Sequence, residues 1–305
     1  MKNYFLPFVC WMASVMLNAW ASPLQPQDVG ADAAILLHVD IDSLLASSVG
    51  KVILATPGVQ AALPNIRMMF EVDISSQLHG VTLYTKMDQP TNGVLIVYAD
   101  FNSNRLINVA QSFPGFETSS HGAETIYSWL DEKNATNGYV PRIYAALRGK
   151  RVIFSKAERI LAASLEVIGG KAAGLAASSV PVPTEPEEKV VVLGTAKRFA
   201  FDSKDPNAAI LRVSKSARMQ IGELKDQILG NVDLKAQDEE SATQIFQIAN
   251  GLKALLKLNG DPSVAKLADT MKVQQEAATV RLNMSVPSAE IADFIKKHQP
   301  ANSQP

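Results

Sequence analysis

Alternating apolar and polar residues predict strands along most of the chain, and two of these strands lead into similar helix starts. Residues 151–155 run into Lys156-Ala157-Glu158, and residues 280–286 run into Pro287-Ser288-Ala289-Glu290. Each apolar run stops near a serine, Ser155 or Ser288, which can cap free backbone N–H groups. The glutamate falls in the first helical turn, where the helix dipole favours negative charge. Two copies of this motif predict a duplicated domain.

The first half is predicted to alternate strands with helices. Its strands are expected at residues 35–41, 81–86, 93–99, 123–130, 142–148 and 151–155. In the first strand Ile35, Leu37 and Val39 share one face, which we expect to be the buried face. Helices are expected to start at Asp42 or Ser43, within 59–77, at Asn102 or Ser103, and after Ser155.

The second half repeats this order with fewer elements. Its strands are expected at residues 190–193, 209–213, 218–224, 228–236 and 279–286, and its helices at 241–258, 262–271 and 291–297. Ala99 and Ala236 each end a strand that precedes a helix. Their separation agrees with that of Glu158 and Glu290 to within the length variation of a loop. The agreement supports the duplication.

These patterns predict an α+β protein of two similar repeats, each an antiparallel sheet with helices packed on one face. The first repeat is expected at residues 22–170 and the second at 190–298. Residues 171–189 are rich in Ala, Ser and Pro and then acidic, a composition typical of a linker. Residues 299–305 form a polar tail that we expect to be disordered.

The first 21 residues have the pattern of a secretory signal peptide. Lys2 supplies a positive charge, residues 4–17 are apolar, and Ala19-Trp20-Ala21 provides the small residues that precede cleavage. The apolar stretch is shorter than the roughly 20 residues of a membrane-spanning helix. Cleavage after Ala21 removes Cys10, the single cysteine, and leaves a cysteine-free chain without disulfides. We therefore expect a periplasmic or secreted protein with no transmembrane segment.

Charge and composition restrict the classes of molecule that the protein could bind. The chain has 29 basic and 30 acidic residues and a net charge of −1, so no basic field is available to attract nucleic acid. Hydrophobic residues make up 47% and charged residues 19%, as in ordinary globular proteins. An unknown protein or a small ligand is the expected partner.

His38, Asp40 and Asp42 alternate along the first predicted strand and are the candidate metal ligands. An imidazole and two carboxylates on one face could bind a divalent metal or act as an acid–base pair. The alternative is that His38 faces solvent, Asp40 ends the strand and Asp42 caps the next helix. The remaining histidines, His79, His121 and His298, have no metal-ligand spacing and are interpreted as surface or turn residues.

Tyr127 and Trp129 give one face of the strand at 123–130 an aromatic character. Uncovered, this face would be a surface for a partner; the alternative is one core aromatic and one boundary aromatic. No Gly-x-Ser-x-Gly, phosphate loop or Gly-x-Gly-x-x-Gly pattern occurs in the sequence. We therefore expect no cofactor and name no catalytic residue.

The order of elements, with the closing Ser-Val-Pro-Ser-Ala-Glu at 285–290, resembles uncharacterised secreted proteins of Gram-negative bacteria. The resemblance is one of layout, and it implies no functional residue.

The expected function is an exported, non-enzymatic interaction or binding protein of unknown specificity. A small-ligand or lipid carrier and a hydrolase with a dispersed site are the alternatives. A deep apolar cavity between sheet and helices would favour the carrier, and a pocket joining His38 or His121 to carboxylates the hydrolase.

Overall fold

The structure is a computed structural model that describes residues 23–86, 89–136, 138–176, 179, 188–197 and 213–298. The predicted signal peptide, most of the predicted linker, nearly all of the strand predicted at 209–213 and the C-terminal tail lie outside the described residues.

The described residues form twelve strands and nine α-helices, with short 3-10 helices at Pro26–Asp28 and Glu132–Asn134. The strands are β1 (Ala33–Asp40), β2 (Leu78–Lys86), β3 (Gln89–Ala99), β4 (Glu117–His121), β5 (Glu124–Leu130), β6 (Arg142–Arg148), β7 (Arg151–Ser155), β8 (Lys189–Lys197), β9 (Ser214–Leu224), β10 (Gln227–Ala236), β11 (Lys272–Glu276) and β12 (Thr279–Pro287). The helices are α1 (Ile41–Ala46), α2 (Ser48–Leu54), α3 (Pro57–Phe70), α4 (Ile74–Gln77), α5 (Ser103–Gln111), α6 (Glu158–Ile168), α7 (Glu239–Lys257), α8 (Pro262–Thr270) and α9 (Ser288–Lys297).

All twelve strands belong to one antiparallel sheet, in the order β11-β12-β10-β9-β8-β1-β2-β3-β7-β6-β5-β4. Strands β1 and β8 meet in its interior, with Leu37 opposite Gly194. Outward from these two strands, the order of strands is similar on both sides. Next to β1 lie the hairpin β2–β3, then β7, which precedes the last helix of the first half, and then its hairpin partner β6. Next to β8 lie the hairpin β9–β10, then β12, which precedes the last helix of the second half, and then its hairpin partner β11. The predicted α+β class is confirmed. The duplication stays a prediction, and the matching order supports it.

The two faces of the sheet are named here after neighbouring residues of β1, the Leu36 face and the Leu37 face. On the Leu36 face of the first half, α6 packs Leu161 and Leu165 against a core that includes Tyr84 and Ile153. The expectation that β1 buries the side of Leu37 is wrong, because Leu36 is 2% exposed and Leu37 is 36% exposed. Apolar residues occur on both sides of β1, so the pattern could not show which side a helix covers.

The Leu37 face carries other helices. In the first half α5 places Phe113 against Trp129, and in the second half α7 packs Ala242 and Ile245 against strand residues that include Leu234. Helices therefore lie on both faces of the first half, which corrects the prediction of a single covered face. The physical reason is visible in β3, a strand apolar on both sides, because each side requires cover from water.

The helix starts follow their sequence signals in most places. Asn102 caps α5 by accepting a hydrogen bond from Arg105 N, and Glu158 and Glu290 lie in the first turns of α6 and α9. Ser288 does not cap α9, contrary to the prediction, because its hydroxyl donates to the buried carboxylate Glu223 instead.

The beginning of the predicted linker is part of the core. Leu175 is buried, and its backbone N–H donates to Val29 O at 2.7 Å. Residues 173–175 thus bond to the segment that precedes β1.

Candidate functional site

An apolar groove lies on the Leu37 face of the first half, between the sheet and helices α3 and α5. It consists of two adjoining cavities, of about 250 Å³ and about 510 Å³, that share Trp129 and Phe154 as walls. The first cavity is lined by Phe70, Leu106, Ile107, Val109, Ala110, Phe113, Tyr127, Trp129, Ala145, Leu147, Val152 and Phe154. The second is lined by Leu83, Thr85, Gly93, Leu95, Trp129, Ile143, Phe154, Ser155 and Lys156.

Helix α5 forms the roof of the first cavity. Its apolar residues Leu106, Val109 and Ala110, with Phe113 two residues beyond its end, recur at helical spacing, so they share the side that faces the sheet. No residue of α5 or α3 is fully buried. The roof therefore rests on the sheet without the tight packing that is usual in protein cores, and a cavity remains beneath it.

Aromatic rings form the inner walls. Phe113 and Trp129 lie 5.4 Å apart between ring centroids, and Trp129 meets Phe154 edge-on at 6.4 Å. Tyr127 stacks with Phe116 at 6.3 Å. The structure thus brings the two predicted aromatics to one face, where both are half-buried beneath α5. Their role as a partner surface stays a prediction.

The second cavity opens onto exposed leucines. Leu83 of β2 is 41% exposed and lies directly opposite Leu37 of β1 and Leu95 of β3. These residues continue the apolar surface from the cavity across the sheet. At the end of β7 the lining becomes polar, with Ser155 and the exposed Lys156.

The candidate metal ligands do not come together. His38 is 3% exposed on the Leu36 face, with Nδ1 2.8 Å from Thr82 Oγ1, and Asp40 caps α1 by accepting from Ser43 N. Asp42 contacts His79 instead. The chain enters α1 at Ile41, so Asp42 leaves the alternation of the strand. In the part of the chain that the structure describes, no three His, Cys, Asp or Glu side chains are grouped to hold a metal ion.

His79 forms a bridge that its sequence neighbours do not reveal. Its Nδ1 lies 3.1 Å from Asp42 Oδ2, and its Nε2 lies 3.2 Å from Asp100 Oδ2, while Lys150 pairs with the other oxygen of Asp100. Burial lowers the pKa of His79, but the hydrogen bonds to the two carboxylates raise it, and the net shift is upward. The Lys150 ammonium, followed by His79, holds the pKa of Asp100 below its usual value.

His121 and His298 also have carboxylate partners. His121 Nε2 lies 2.9 Å from Glu166 Oε1, and His298 Nε2 lies 2.9 Å from Asp261 Oδ2. Hydrogen bonds from Lys297 and Ser263 hold the pKa of Asp261 well below its usual range. These partners are 37 or more residues away in sequence, so spacing gave no signal for them.

A second apolar surface lies along the C-terminal half of α7. Its exposed residues are Ile248, Leu252, Leu255 and Leu256, with Leu258 just beyond the helix. These residues recur at helical spacing, yet the buried residues of the helix, Ala242, Ile245 and Ala249, lie in its N-terminal part and middle.

Comparisons with known proteins identify a shared fold. No family model matches the chain, and no curated protein matches its sequence. Crystal form III of TP0453, a Treponema protein, has a TM-score of 0.50 at 10% identity, covering 90% of this chain and 99% of that one. Crystal forms I and IV give TM-scores of 0.45 and 0.46, also at 10% identity, over 90% and 91% of this chain and 98% of TP0453. The likeness to form III shows the fold alone.

The comparisons do not confirm the resemblance to secreted proteins of Gram-negative bacteria. Among the described helices none is long and apolar enough to cross a membrane.

Proposed function

We propose that this chain is an exported, non-enzymatic binding protein that holds an apolar ligand, such as an acyl chain, in the apolar groove. The observation that carries the proposal is the lining of the first cavity. Every described residue in that lining is aliphatic or aromatic, and none carries a charge. Export is supported by the predicted signal peptide.

The size of the groove suits a ligand. Binding sites for small molecules usually enclose roughly 300–1,000 Å³, and an engineered apolar cavity of about 150 Å³ in another protein binds benzene. The two cavities, of about 250 Å³ and about 510 Å³, adjoin at Trp129 and Phe154. A chain-like ligand can therefore extend from beneath α5 to the exposed leucines of the sheet.

The roof supports reversible binding. Helix α5 touches the sheet through half-buried side chains, so ligand entry would break few close contacts. A ligand in the groove would also cover Trp129 and Leu83, which are now partly in contact with water. The gain from burying apolar surface is the driving force for binding.

The arrangement of histidines does not support the hydrolase alternative. His38 lies on the opposite face of the sheet from the groove, and its ring is packed against Tyr98 and Thr82. His121 pairs with Glu166 of α6, also away from the groove lining. The groove walls thus bring an apolar surface to a ligand without the acid–base pair considered from the sequence.

A fluorescence titration tests this function. The neutral probe N-phenyl-1-naphthylamine is added to the chain that begins at Ser22, and to two variants with the same chemical change. Ala110→Trp fills the cavity beneath α5, and Ala254→Trp adds the same side chain to an exposed site on α7. We expect saturable binding that Ala110→Trp weakens by about tenfold or more, a loss of about 1.4 kcal/mol or more. The control should retain wild-type affinity. Absence of binding to the wild type, or equal binding by all three proteins, would overturn the proposal.

A further inference from the structure

We propose that the ligand of the groove is a single-chain amphiphile with an anionic head group, which Lys156 binds at the open end of the second cavity. This inference rests on the proposed function. It adds a ligand class and a specificity-determining residue to a groove that otherwise recognises only apolar surface.

The position of Lys156 supports this assignment. It follows the last residue of β7 and lines the second cavity together with Leu83 and Leu95. Lys156 is the charged residue among the described lining residues of both cavities. A chain lying against Trp129 and Phe154 would therefore have its polar end near an ammonium group.

The charge of Lys156 is available to a ligand. Among the described residues it forms no ion pair, whereas nearby Lys86 is paired with Asp32 at 2.8 Å. The acidic residue nearest to Lys156 in sequence is Glu158, and its carboxylate accepts a hydrogen bond from the Ser119 hydroxyl. An anionic ligand thus meets a cation that the protein leaves exposed to solvent.

A second polar group in the same cavity points to a head group. Thr85 Oγ1 is buried and has no hydrogen-bond partner among the described residues. This oxygen has almost no accessible surface in the structure, so a ligand in the cavity reaches it only when Thr85 rotates about χ1, which would give the hydroxyl the partner that buried hydroxyls normally have. Thr85 is a neighbour of Leu83 on the Leu37 face, and its hydroxyl can donate to a carboxylate or phosphate oxygen. The hydroxyl of Ser155 already donates to Gly93 O.

The two groups together discriminate between ligands. A lysine ammonium and a hydroxyl both donate hydrogen bonds to anionic oxygen, and donation to a charged acceptor is stronger than to a neutral one. A neutral head group gains less from Lys156, so the carboxylate of a fatty acid or the phosphate of a phosphorylated lipid is preferred. The shared feature is a single negative head group on one apolar chain.

Displacement of N-phenyl-1-naphthylamine by three twelve-carbon compounds tests the inference. Dodecanoate, dodecyl phosphate and dodecanol have the same chain and differ in the head group. We expect the anions to displace the probe at concentrations about tenfold lower than dodecanol does. Preference for dodecanoate over dodecyl phosphate, or the reverse, identifies the source of the anionic group.

Variants assign the preference to residues. Lys156→Gln should bring the anions to within about twofold of dodecanol, and Thr85→Val should weaken anion binding relative to dodecanol by about threefold. Anions and dodecanol are compared within each variant, so a change in its affinity for the probe does not affect the ratio. Lys272→Gln is the matched control, an exposed lysine on the edge strand β11 that should change nothing. If the wild type binds the probe but does not distinguish anions from dodecanol, or Lys156→Gln keeps the preference, this inference is wrong and the proposed function stands. If the wild type does not bind the probe, the proposed function itself is wrong.

Discussion

Glu223 at the end of β9 accepts a hydrogen bond from the backbone N–H of Ser48, with 2.8 Å between Oε2 and N. Its other carboxylate oxygen accepts from Ser288 Oγ at 3.2 Å. Ser48 begins α2 and Ser288 begins α9, so one buried carboxylate holds the starts of two helices. The first-turn N–H groups of a helix have no partner within the helix, and the helix dipole favours negative charge beside them. The contact joins the second half of the sheet to a helix of the first half.

Replacing this carboxylate should destabilise the protein. Glu223→Ala leaves Ser48 N and Ser288 Oγ without their partner inside the structure, and we expect the free energy of unfolding to fall by about 2 kcal/mol. Urea unfolding followed by circular dichroism measures the change. Glu132→Ala removes an exposed carboxylate and is the control, for which about 0.5 kcal/mol or less is expected. Equal effects of the two substitutions would show that the joint between the helices contributes no stability.

Asp28 is a second buried carboxylate whose partners come from distant strands. It is 1% exposed, accepts from Arg151 Nε at 2.6 Å and accepts from the Tyr98 hydroxyl at 3.1 Å. Asp28→Asn removes the charge and leaves the Arg151 guanidinium without its buried counter-ion. We expect a loss of about 3 kcal/mol in urea unfolding, since breaking a buried ion pair from one side is costly. Asp32→Asn breaks the pair with Lys86, in which Asp32 is exposed, and should cost about 1 kcal/mol or less.

The sequence predicted the inner strands of the sheet but not its two edge strands. β4 and β11 were missed, and these are the two edge strands of the sheet. An edge strand pairs on one side only and can be polar on both faces, as residues 117–121 are. No alternation then marks it as a strand. The inner strand β3 carried the opposite signal, a continuous apolar run, and was predicted at residues 93–99 of its span Gln89–Ala99.

The sequence predicted the helix and the aromatic strand that form the groove, but it did not predict the cavity between them. The Asn102 cap predicted the start of α5, and the spacing of Leu106 to Phe113 indicated its inward side. Tyr127 and Trp129 were predicted to give their strand an aromatic face. The distance at which a helix rests on a sheet depends on the fit between two sets of side chains. Periodicity within either set says nothing about that fit.

The bridge of His79 should make stability depend on pH above neutrality. Its pKa is raised in the folded protein because the bonds to Asp42 and Asp100 outweigh burial. A group of this kind contributes stability fully below its unfolded pKa of about 6.5, and the contribution is lost as the pH rises through the folded pKa. We therefore expect the free energy of unfolding to decrease as the pH rises above about 6.5. Urea unfolding at several pH values measures this decrease.

His79→Gln is the control for this dependence, because glutamine can still bond a carboxylate and does not titrate. The variant should show a flatter curve over the same pH range. Asp100 is bonded to Lys150 as well as to His79, and the variant replaces only His79, so a difference between the two curves is assigned to the imidazole. A curve for the variant as steep as that of the wild type would contradict the assignment.

Trp129 should report directly on ligand binding. Of the three tryptophans, Trp11 and Trp20 lie in the predicted signal peptide, so in the chain from Ser22 the emission comes from Trp129. Its half-buried indole lines both cavities and contacts Phe113 of the roof. An aliphatic chain in the groove displaces water from the indole, so titration with dodecanoate should shift the emission to shorter wavelength and saturate. The dissociation constant should equal the one obtained from probe displacement after correction for the competing probe, and Ala145→Phe, which fills the same cavity from β6, should weaken both signals together. Displacement of the probe without any change in Trp129 emission would place the ligand outside the groove.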